Sequence, residues 1–269
     1  MLRCGITGFS GNLGKAFLRS RTKFHYIKFK GDISKKKEIN NWIKNNDFDI
    51  LIHFAAIVPT SIVNKSYKRA LDVNYKGTKH LVDAIVKHKK KIDWFFFSSS
   101  SHVYSLQNIK IKEHFKTNPT SKYGKTKLLA ENYIIKKFKH FNIRYCIGRI
   151  FSIFDNKEEG FFTPNLFKKI KQKKNKIVLE NLNHNRDFLS SDQISKIILY
   201  LFKKKFVGII NIASGKKTNL KMIAKIFAQR AGKKVIFKTN TLTSQIANIS
   251  KLKNLGFKQR KLNFGRYFY

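Results

Sequence analysis

The stretch Thr7-Gly8-Phe9-Ser10-Gly11-Asn12-Leu13-Gly14 decides the fold, because its three glycines stand where a strand passes into a helix. The apolar run from Leu2 to Thr7 precedes it, and a helical pattern begins at Asn12. Glycines at this spacing allow a tight turn, through which the free amides of a helix N-terminus can approach a pyrophosphate. A merely structural turn is the alternative. The order of strand, turn and helix favours dinucleotide binding.

Apolar runs of strand length alternate with helical patterns through the first half of the chain. The predicted strands are Leu2 to Thr7, Tyr26 to Phe29, Ile50 to His53, Trp94 to Ser98 and Arg144 to Arg149. The predicted helices are Asn12 to Arg21, Lys36 to Asn45, Tyr67 to Lys89 and Ser121 to Lys139. This alternation predicts an α/β fold, a Rossmann-type doubly wound parallel sheet with helices on both faces.

The second half of the chain is less regular. Pro164 opens a predicted helix to Lys173, a strand follows at Ile177 to Leu179, and a helix at Ser191 to Lys203 precedes a strand at Ile209 to Ile212. We expect this last strand to rejoin the main sheet. The dinucleotide-binding domain then comprises residues 1–153 with 186–213, and residues 154–185 and 214–269 form a smaller C-terminal substrate-binding lobe.

The charge is extreme, with 57 Lys and Arg against 15 Asp and Glu and a formal net charge of +42. Taken alone, it suggests a polyanion partner. However, 47 of these residues are Lys and are spread over every segment, while Ile, Asn and Phe are abundant and Pro and Trp are scarce. We interpret the charge as a bias of A- and T-rich codons. A diffuse positive field still attracts anionic substrates at low salt.

The sequence also predicts where the protein resides. Its longest nearly apolar stretch, Ile50 to Val58, is too short to cross a bilayer, and no basic-then-apolar leader precedes the first strand. We therefore expect a cytoplasmic protein without a membrane segment. Cys4 and Cys146 are far apart in predicted strands, so we expect neither a disulfide framework nor a metal site.

A series of motifs in fixed order resembles the extended short-chain dehydrogenase/reductases, in particular their NAD-dependent epimerase/dehydratase branch, which acts on nucleotide sugars. The resemblance covers residues 1 to about 215. It rests on the T-G-x-x-G-x-x-G loop from Thr7, Gly31-Asp32-Ile33, His53-Phe54-Ala55-Ala56, Asn74-Tyr75-Lys76-Gly77-Thr78, Ser98-Ser99-Ser100-Ser101-His102-Val103-Tyr104, Tyr123-Gly124-Lys125-Thr126-Lys127 and Arg186-Asp187-Phe188.

The resemblance implies a set of cofactor-binding residues. They are Gly8, Phe9, Ser10, Gly11, Asn12, Leu13, Gly14, Asp32, Ile33, Ala55, Ala56, Asn74, Tyr123 and Lys127. Asp32 is expected to bond the adenine, with a solvated turn acid as the alternative, and Asn74 is expected to have a structural role. Lys28 and Lys30 flank the position where an acid usually holds the ribose hydroxyls. Basic residues there can pair with a 2′-phosphate, which slightly favours NADP over NAD.

The predicted catalytic residues are Ser100, Tyr123 and Lys127. A Tyr with a Lys four residues later on a helix supplies an exchangeable proton, and the ammonium is expected to lower the phenol pKa. Five of the ten tyrosines have that spacing, so context decides. Tyr123 opens a long helix and follows the serine-rich strand end by about twenty residues. Among the four serines the resemblance selects Ser100 as donor to the reacting oxygen, although its neighbours could be capping hydroxyls.

His102 is a candidate substrate residue. Ser101-His102 stand where related dehydratases carry an Asp-Glu pair, which disfavours dehydration. His102 either contacts or protonates the sugar, or it is an ordinary pocket-lining or exposed histidine.

Arg186 is the second candidate substrate residue, since the resemblance implies that it pairs with a substrate phosphate. A planar guanidinium suits such bidentate recognition. A surface arginine paired with Asp187 or Asp192 is the alternative. Position alone adds three residues of a sugar-nucleotide pocket: Phe161, Thr163 and Asn165.

Together these residues predict an NAD(P)-dependent nucleotide-sugar oxidoreductase, a 4-keto sugar reductase or a 4-epimerase acting by hydride transfer at sugar C4. Its cofactor is NADP or NAD, and its substrate is a nucleotide-diphosphate sugar. A non-catalytic dinucleotide-binding scaffold or RNA-binding relative is the alternative, which an intact catalytic set disfavours. We expect no nucleic-acid partner and a homodimer formed through the helices Tyr67 to Lys89 and Ser121 to Lys139.

Overall fold

A computed structural model describes residues 1–20, 23–58, 60–154, 162–171, 176–238, 241–259 and 262. The chain divides into two compact units. Unit 1 comprises Met1–Ser105, Lys116–Ile150 and Ser191–Ile210, and unit 2 comprises Leu106–Phe115, Phe151–Ser190 and Asn211–Tyr269. Residues 106–115 thus belong to unit 2, and the segment 186–213 is divided between the units.

The strands are numbered in chain order: β1 (Leu2–Thr7), β2 (Phe24–Lys28), β3 (Ile50–His53), β4 (Trp94–Ser100), β5 (Tyr145–Ile150), β6 (Ser152–Phe154), β7 (Lys176–Leu179), β8 (His184–Arg186), β9 (Phe188–Ser190), β10 (Gly208–Ile212), β11 (Thr218–Asn219), β12 (Lys234–Phe237) and β13 (Thr243–Gln245). The helices are α1 (Asn12–Arg19), α2 (Lys36–Asn45), α3 (Thr60–Lys65), α4 (Tyr67–Leu71), α5 (Thr78–Lys87), α6 (Lys122–His140), α7 (Phe162–Ile170), α8 (Ser191–Lys203), α9 (Leu220–Arg230) and α10 (Ser250–Asn254).

One sheet of six strands has the order β10-β5-β4-β3-β1-β2, so the predicted return of the strand near Ile212 to the main sheet is confirmed. The first five strands pair in parallel. The chain leaves β1 outward to β2 and then returns to β3 on the other side of β1. Ligands of open α/β sheets bind at such a switch point, outside the carboxyl ends of the strands. The predicted Rossmann-type α/β fold is confirmed.

Both faces of the sheet are covered, which explains why every residue of the inner strands β3, β4 and β5 is buried. Phe95 and Phe97 of β4 belong to a buried cluster with residues of α2, α5 and α6. Phe96, which points to the opposite face, has its ring 6.0 Å from that of Phe54, and Phe54 lies 5.7 Å from Phe17 of α1. The side chains of β4 therefore pack into an apolar layer on each face of the sheet.

The single helix predicted over Tyr67 to Lys89 is wrong. A π-helical segment, Asp72–Gly77, separates α4 from α5. Its last residue is a glycine for a steric reason, because a Cβ on Gly77 would lie 2.8 Å from Cγ2 of Ile33. Single π-helical turns are rare and are often found near functional sites.

Smaller differences concern element ends. β2 begins at Phe24 and ends at Lys28, earlier than predicted, and β4 extends to Ser100. α1 ends at Arg19, where the backbone of Ser20 turns extended, and α7 begins two residues before Pro164. Proline is tolerated in the first helical turn because the amides there need no intrahelical acceptor. The predicted helix ends at Arg21 and Lys173 lie outside the described residues.

Unit 2 contains the small sheets β11-β8-β13, β12-β7 and β6-β9. A buried carboxylate connects three of its segments: Asp187 accepts hydrogen bonds from the Ser214 amide at 2.7 Å, the Gly215 amide at 2.9 Å and the Ala247 amide at 3.2 Å. Burial raises the pKa of Asp187. Within the described ranges, no helix combines the length and the apolar character that a bilayer crossing requires.

Candidate active site

The glycine loop is packed so tightly that two of its glycines admit no side chain. A Cβ on Gly8 would lie 2.4 Å from the Ala55 amide nitrogen, and φ at Gly8 is +68°. A Cβ on Gly14 would lie 2.3 Å from the Gly8 carbonyl oxygen. At Gly11 the nearest atom is 3.6 Å away. Protein packing therefore requires Gly8 and Gly14, whereas Gly11 leaves an open side at the start of α1.

Asn12 adds a donor to this loop. It is buried, and its Oδ1 accepts a hydrogen bond from Ser191 Oγ at 2.5 Å. Its Nδ2 has no hydrogen-bond partner among the described residues. A buried donor at a helix N-terminus, where the free amides and the dipole also favour negative charge, suits an anionic group such as a pyrophosphate. The residues present thus fit a dinucleotide at this loop.

His53 anchors the turn that follows β3. Its Nδ1 lies 2.6 Å from Thr7 Oγ1 and its Nε2 lies 2.9 Å from Thr78 Oγ1. Thr7 Oγ1 also accepts from the Ala55 amide at 3.3 Å. Burial, with the nearby charge of Lys127, lowers the pKa of His53 to about 3. A neutral histidine therefore holds the predicted cofactor positions 55 and 56 beside the glycine loop.

Asn74 connects the same turn to α6. Its Oδ1 accepts from the Ile57 amide at 2.7 Å, and its Nδ2 donates to the Ile57 carbonyl at 3.0 Å and to Thr126 Oγ1 at 3.1 Å. Thr126 Oγ1 in turn donates to the Tyr123 carbonyl at 2.8 Å. Both hydrogens of Nδ2 are used inside the protein, so Asn74 ties the turn after β3 to α6.

The end of β2 is strongly basic. Nζ of Lys28 lies 5.6 Å from the ring centroid of Phe9 in the glycine loop. Asp32 accepts a hydrogen bond from Arg69 at 2.8 Å and another from the Ser34 amide at 3.0 Å. The Arg69 guanidinium lowers the pKa of Asp32 to about 2. Asp32 is therefore engaged by Arg69, a residue that no sequence motif indicated.

Ser100, Tyr123 and Lys127 are brought together where β4 ends and α6 begins. The Tyr123 side chain is buried and hydrogen-bonds Ser100. One turn later in α6, Lys127 donates from Nζ to the Ser98 carbonyl at 2.7 Å and lies 4.7 Å from the ring centroid of Phe97. Burial lowers the pKa of Lys127 to about 7. A hydroxyl pair and a buried amine thus meet at the carboxyl edge of the sheet.

The electrostatics of this group differ from the prediction. Lys127 is expected from the sequence to lower the pKa of Tyr123, but burial raises the pKa of Tyr123 above its ordinary value, and the hydrogen bond from Ser100 opposes this effect only partly. Tyr123 therefore keeps its proton at neutral pH in this structure.

His102 is exposed and lies against Tyr123. The two rings meet edge to face with centroids 5.6 Å apart, and His102 Nδ1 lies 3.4 Å from Oγ of Ser121. The His102 amide donates to Ser100 Oγ at 3.2 Å, within the 3₁₀ turn Ser101–Val103. A Cβ on Gly124 would lie 2.1 Å from the His102 carbonyl oxygen, so only glycine lets α6 approach this turn.

Sequence reasoning missed a buried ion pair beside these residues. Nη2 of Arg149 in β5 lies 2.7 Å from Oε2 of Glu131 in α6, with side chains 5% and 1% exposed. One signal was available: Tyr123, Lys127 and Glu131 recur every four residues and so share one helix face. An arginine inside the apolar strand β5 was a second signal, because a buried charge needs a partner.

Unit 2 contains the candidate substrate residues Arg186, Thr163 and Asn165. Arg186 is half-buried, donates to the Asn185 carbonyl at 3.2 Å, and has no ion pair among the described residues. Its two suggested partners are engaged elsewhere, since Asp192 pairs with Arg19 at 3.2 Å and Asp187 accepts backbone amides. Asn165 is exposed on α7 and Thr163 is buried, while Phe161 lies outside the described residues.

Comparisons with known proteins agree with this geometry. The family model described as GDP-mannose 4,6 dehydratase matches residues 5–262. The chain belongs to this family. The structure of RMD from Pseudomonas aeruginosa, solved in complex with NADPH, superposes with a TM-score of 0.85 at 19% identity, covering 97% of this chain and 95% of that one. That likeness concerns the fold.

Two other proteins are similar to this chain in sequence. The "Putative UDP-glucose 4-epimerase" of Methanocaldococcus jannaschii is 28% identical over 204 residues, which span 73% of this chain and 65% of that protein. The GDP-6-deoxy-D-talose 4-dehydrogenase of Aggregatibacter actinomycetemcomitans is 26% identical over 221 residues, 78% of this chain and 74% of that protein. The chain thus matches less than two thirds of the length of the first relative.

Proposed function

We propose that this family member is an NAD(P)-dependent nucleotide-sugar oxidoreductase that acts by hydride transfer at C4 of the sugar, as a 4-keto sugar reductase or a 4-epimerase. The observation that carries the proposal is the meeting of Ser100, Tyr123 and Lys127 at the strand edge that the glycine loop also borders. The proposal is supported by two relatives, whose names refer to UDP-glucose 4-epimerase and GDP-6-deoxy-D-talose 4-dehydrogenase, and by the similar structure that was solved with NADPH.

The glycine loop, Asp32, Ile33 and the turn at Ala55 and Ala56 would hold the dinucleotide. When bound, it supplies or accepts the hydride at the sugar carbon. In the reducing direction Ser100 donates a hydrogen bond to the ketone oxygen, and Tyr123, which keeps its proton at neutral pH, transfers that proton to the oxygen as the alcohol forms. In the oxidising direction Tyr123 takes the proton from the hydroxyl.

Lys127 supplies positive charge beside this proton transfer. Because burial brings its pKa to about 7, the amine is divided between charged and neutral forms near physiological pH. The charged form stabilises a tyrosinate. It also makes a stronger hydrogen bond to the Ser98 carbonyl than the neutral amine does. We expect turnover to require the ammonium.

We further propose that the enzyme does not dehydrate its substrate, although the family is described by a dehydratase. Elimination needs a general acid and a base beside the sugar, and Ser101 and His102 follow Ser100 instead of two carboxylates. His102 would contact the sugar, because its exposed ring lies against Tyr123.

For the nucleotide, we propose that Arg186 pairs with a phosphate of a nucleotide-diphosphate sugar. Its guanidinium is half-buried and lacks an ion pair among the described residues, and burial lowers its pKa. A cation that is partly desolvated without a carboxylate gains from an anionic ligand. Asn165, exposed on α7, is a weaker candidate for the same nucleotide.

We propose NADP as the preferred cofactor. Lys28 lies close to Phe9 of the glycine loop, and the acid of the turn after β2, Asp32, is already engaged by Arg69. A 2′-phosphate at this end of β2 would therefore meet positive charge. We also propose a homodimer through α5 and α6, on which Leu129 is 41% exposed. Light scattering during size-exclusion chromatography tests the dimer, and a monomer would contradict it.

The central test measures oxidation of NADPH and NADH with UDP- and GDP-linked 4-keto sugars, together with interconversion of the corresponding C4 epimers. Tyr123→Phe should lower kcat by roughly a thousandfold, the range of general acid-base catalysis, and leave dinucleotide binding intact. Tyr145→Phe, which removes the hydroxyl of a buried tyrosine at the start of β5, is the matched control and should keep its activity. Unchanged turnover in Tyr123→Phe would overturn the assignment.

A further inference from the structure

The buried ion pair of Glu131 and Arg149 holds both ends of one short segment. Glu131 accepts a hydrogen bond from Ser99 Oγ, at the end of β4. Arg149 donates from Nη1 to the Tyr104 hydroxyl at 2.8 Å, and its guanidinium carbon lies 4.7 Å from the Tyr104 ring centroid. We call the residues Ser99 to Tyr104 the serine segment. A single pair of opposite charges therefore contacts its first and its last residue.

Between these two ends lie Ser100 and His102, the residues assigned above to the ketone oxygen and the sugar. The strand pairing aligns the elements involved, since Ser99 faces Arg149 across β4 and β5. Glu131 receives both Arg149 Nε, at 3.1 and 3.2 Å, and Arg149 Nη2, at 2.7 Å. This forked geometry fixes the orientation of both side chains, which a point charge such as lysine would not do.

We propose that Glu131 and Arg149 are positioning residues, which hold the serine segment so that Ser100 stays in hydrogen-bonding register with Tyr123. Stability alone does not call for this pair, because well-packed apolar residues replace buried ion pairs at little or no cost. Catalysis does call for it, because a displacement of about 1 Å in a reacting group can cost a hundredfold in rate. This inference rests on the proposed function.

The test removes one contact at each end and leaves the ion pair in place. Ser99→Ala deletes the hydroxyl that Glu131 accepts, and Tyr104→Phe deletes the hydroxyl that Arg149 contacts but keeps the stacked ring. We expect each variant to lower kcat by about tenfold or more, and the dissociation constant of NADPH, measured by fluorescence, to stay within about twofold. Ser99→Thr, which keeps the hydroxyl, should recover most of the lost turnover.

The matched controls are Ser195→Ala and Tyr145→Phe. Ser195 is a buried serine of α8 that donates to the Ser191 carbonyl at 2.9 Å, and Tyr145 is a buried tyrosine of β5. Both delete the hydroxyl of a buried residue away from the serine segment and should keep the wild-type kcat. The deuterium isotope effect with 4-deuterated NADPH should increase in Ser99→Ala and Tyr104→Phe and not in the controls, since a mispositioned ketone slows the hydride step.

Two results would overturn the inference. One is that kcat in Ser99→Ala and Tyr104→Phe equals that of the controls. The other is that the NADPH dissociation constant rises in parallel with the loss of kcat, which would indicate a general disturbance of unit 1. The proposed function fails separately, if the wild-type protein binds neither NADPH nor NADH or turns over no nucleotide sugar.

Discussion

Glu131 and Arg149 form a bidentate ion pair between α6 and β5 with 2.7 Å between Oε2 and Nη2, and both side chains are almost fully buried. Water cannot solvate either charge if the other is removed. We therefore predict that Glu131→Gln lowers the free energy of unfolding by about 3 to 5 kcal/mol. The double variant Glu131→Leu, Arg149→Met should recover most of that loss, because it leaves no unpaired charge. Urea denaturation of the three proteins measures this, and a double variant no more stable than the single one would contradict it.

The glycines of the loop should separate into structural and ligand-facing positions. Gly14→Ala places a methyl 2.3 Å from the Gly8 carbonyl, so we predict a loss of about 1 to 3 kcal/mol in the free energy of unfolding. Gly11→Ala meets no atom closer than 3.6 Å and should cost less than about 1 kcal/mol.

Gly11→Ala should affect binding of the dinucleotide more than it affects stability. Gly11→Ala should raise the NADPH dissociation constant by roughly tenfold, because the second glycine lets the backbone approach the pyrophosphate. Thermal unfolding measures the change in stability, and fluorescence titration measures the NADPH dissociation constant. Wild-type affinity in a stable Gly11→Ala protein would show that the open side of this glycine does not face the ligand.

Because Lys127 is buried, the free energy of unfolding should depend on pH in the neutral to alkaline range. Its pKa is about 7 in the folded protein, against about 10.4 in an unfolded chain. Between these values the unfolded chain binds more protons, so the free energy of unfolding should rise with pH from about 7 to about 10. Lys127→Met should flatten this rise and, at pH 6 to 7, stabilise the protein by roughly 1 to 3 kcal/mol while abolishing turnover. An unaltered pH slope in Lys127→Met would contradict the burial of a titrating amine.

His53 should make the free energy of unfolding depend on pH in the acidic range. Its pKa is lowered to about 3 by burial, against about 6.5 unfolded, so its contribution is complete above pH 6.5 and is lost as the pH falls toward 3. His53→Gln should therefore show a smaller decline of unfolding free energy between pH 6.5 and 4. The control is His25→Gln, an exposed histidine of β2, for which the decline should equal that of the wild type. Equal declines in all three proteins would exclude His53 as the group responsible.

Local patterns predicted most elements of unit 1. The bounds of α2 and α8 agree with prediction because an amphipathic periodicity of 3.6 residues depends only on nearby positions. The same periodicity could not predict that the helix over Tyr67 to Lys89 is interrupted. Its π-helical segment carries Asn74, which bonds Ile57 and Thr126, and these partners are 17 and 52 residues away in sequence.

The sequence by itself determined that a glycine loop opens the first helix and that Ser100, Tyr123 and Lys127 follow in the order of a known family, since these features depend on residue type and spacing. Tertiary structure decided which of the three glycines lack room for a methyl group, where the Lys127 ammonium points, and that Glu131 and Arg149 hold both ends of the serine segment. The physical reason is that clashes, desolvation and ion pairing depend on distances between atoms of different elements, and those distances exist only once the sheet and α6 have packed together.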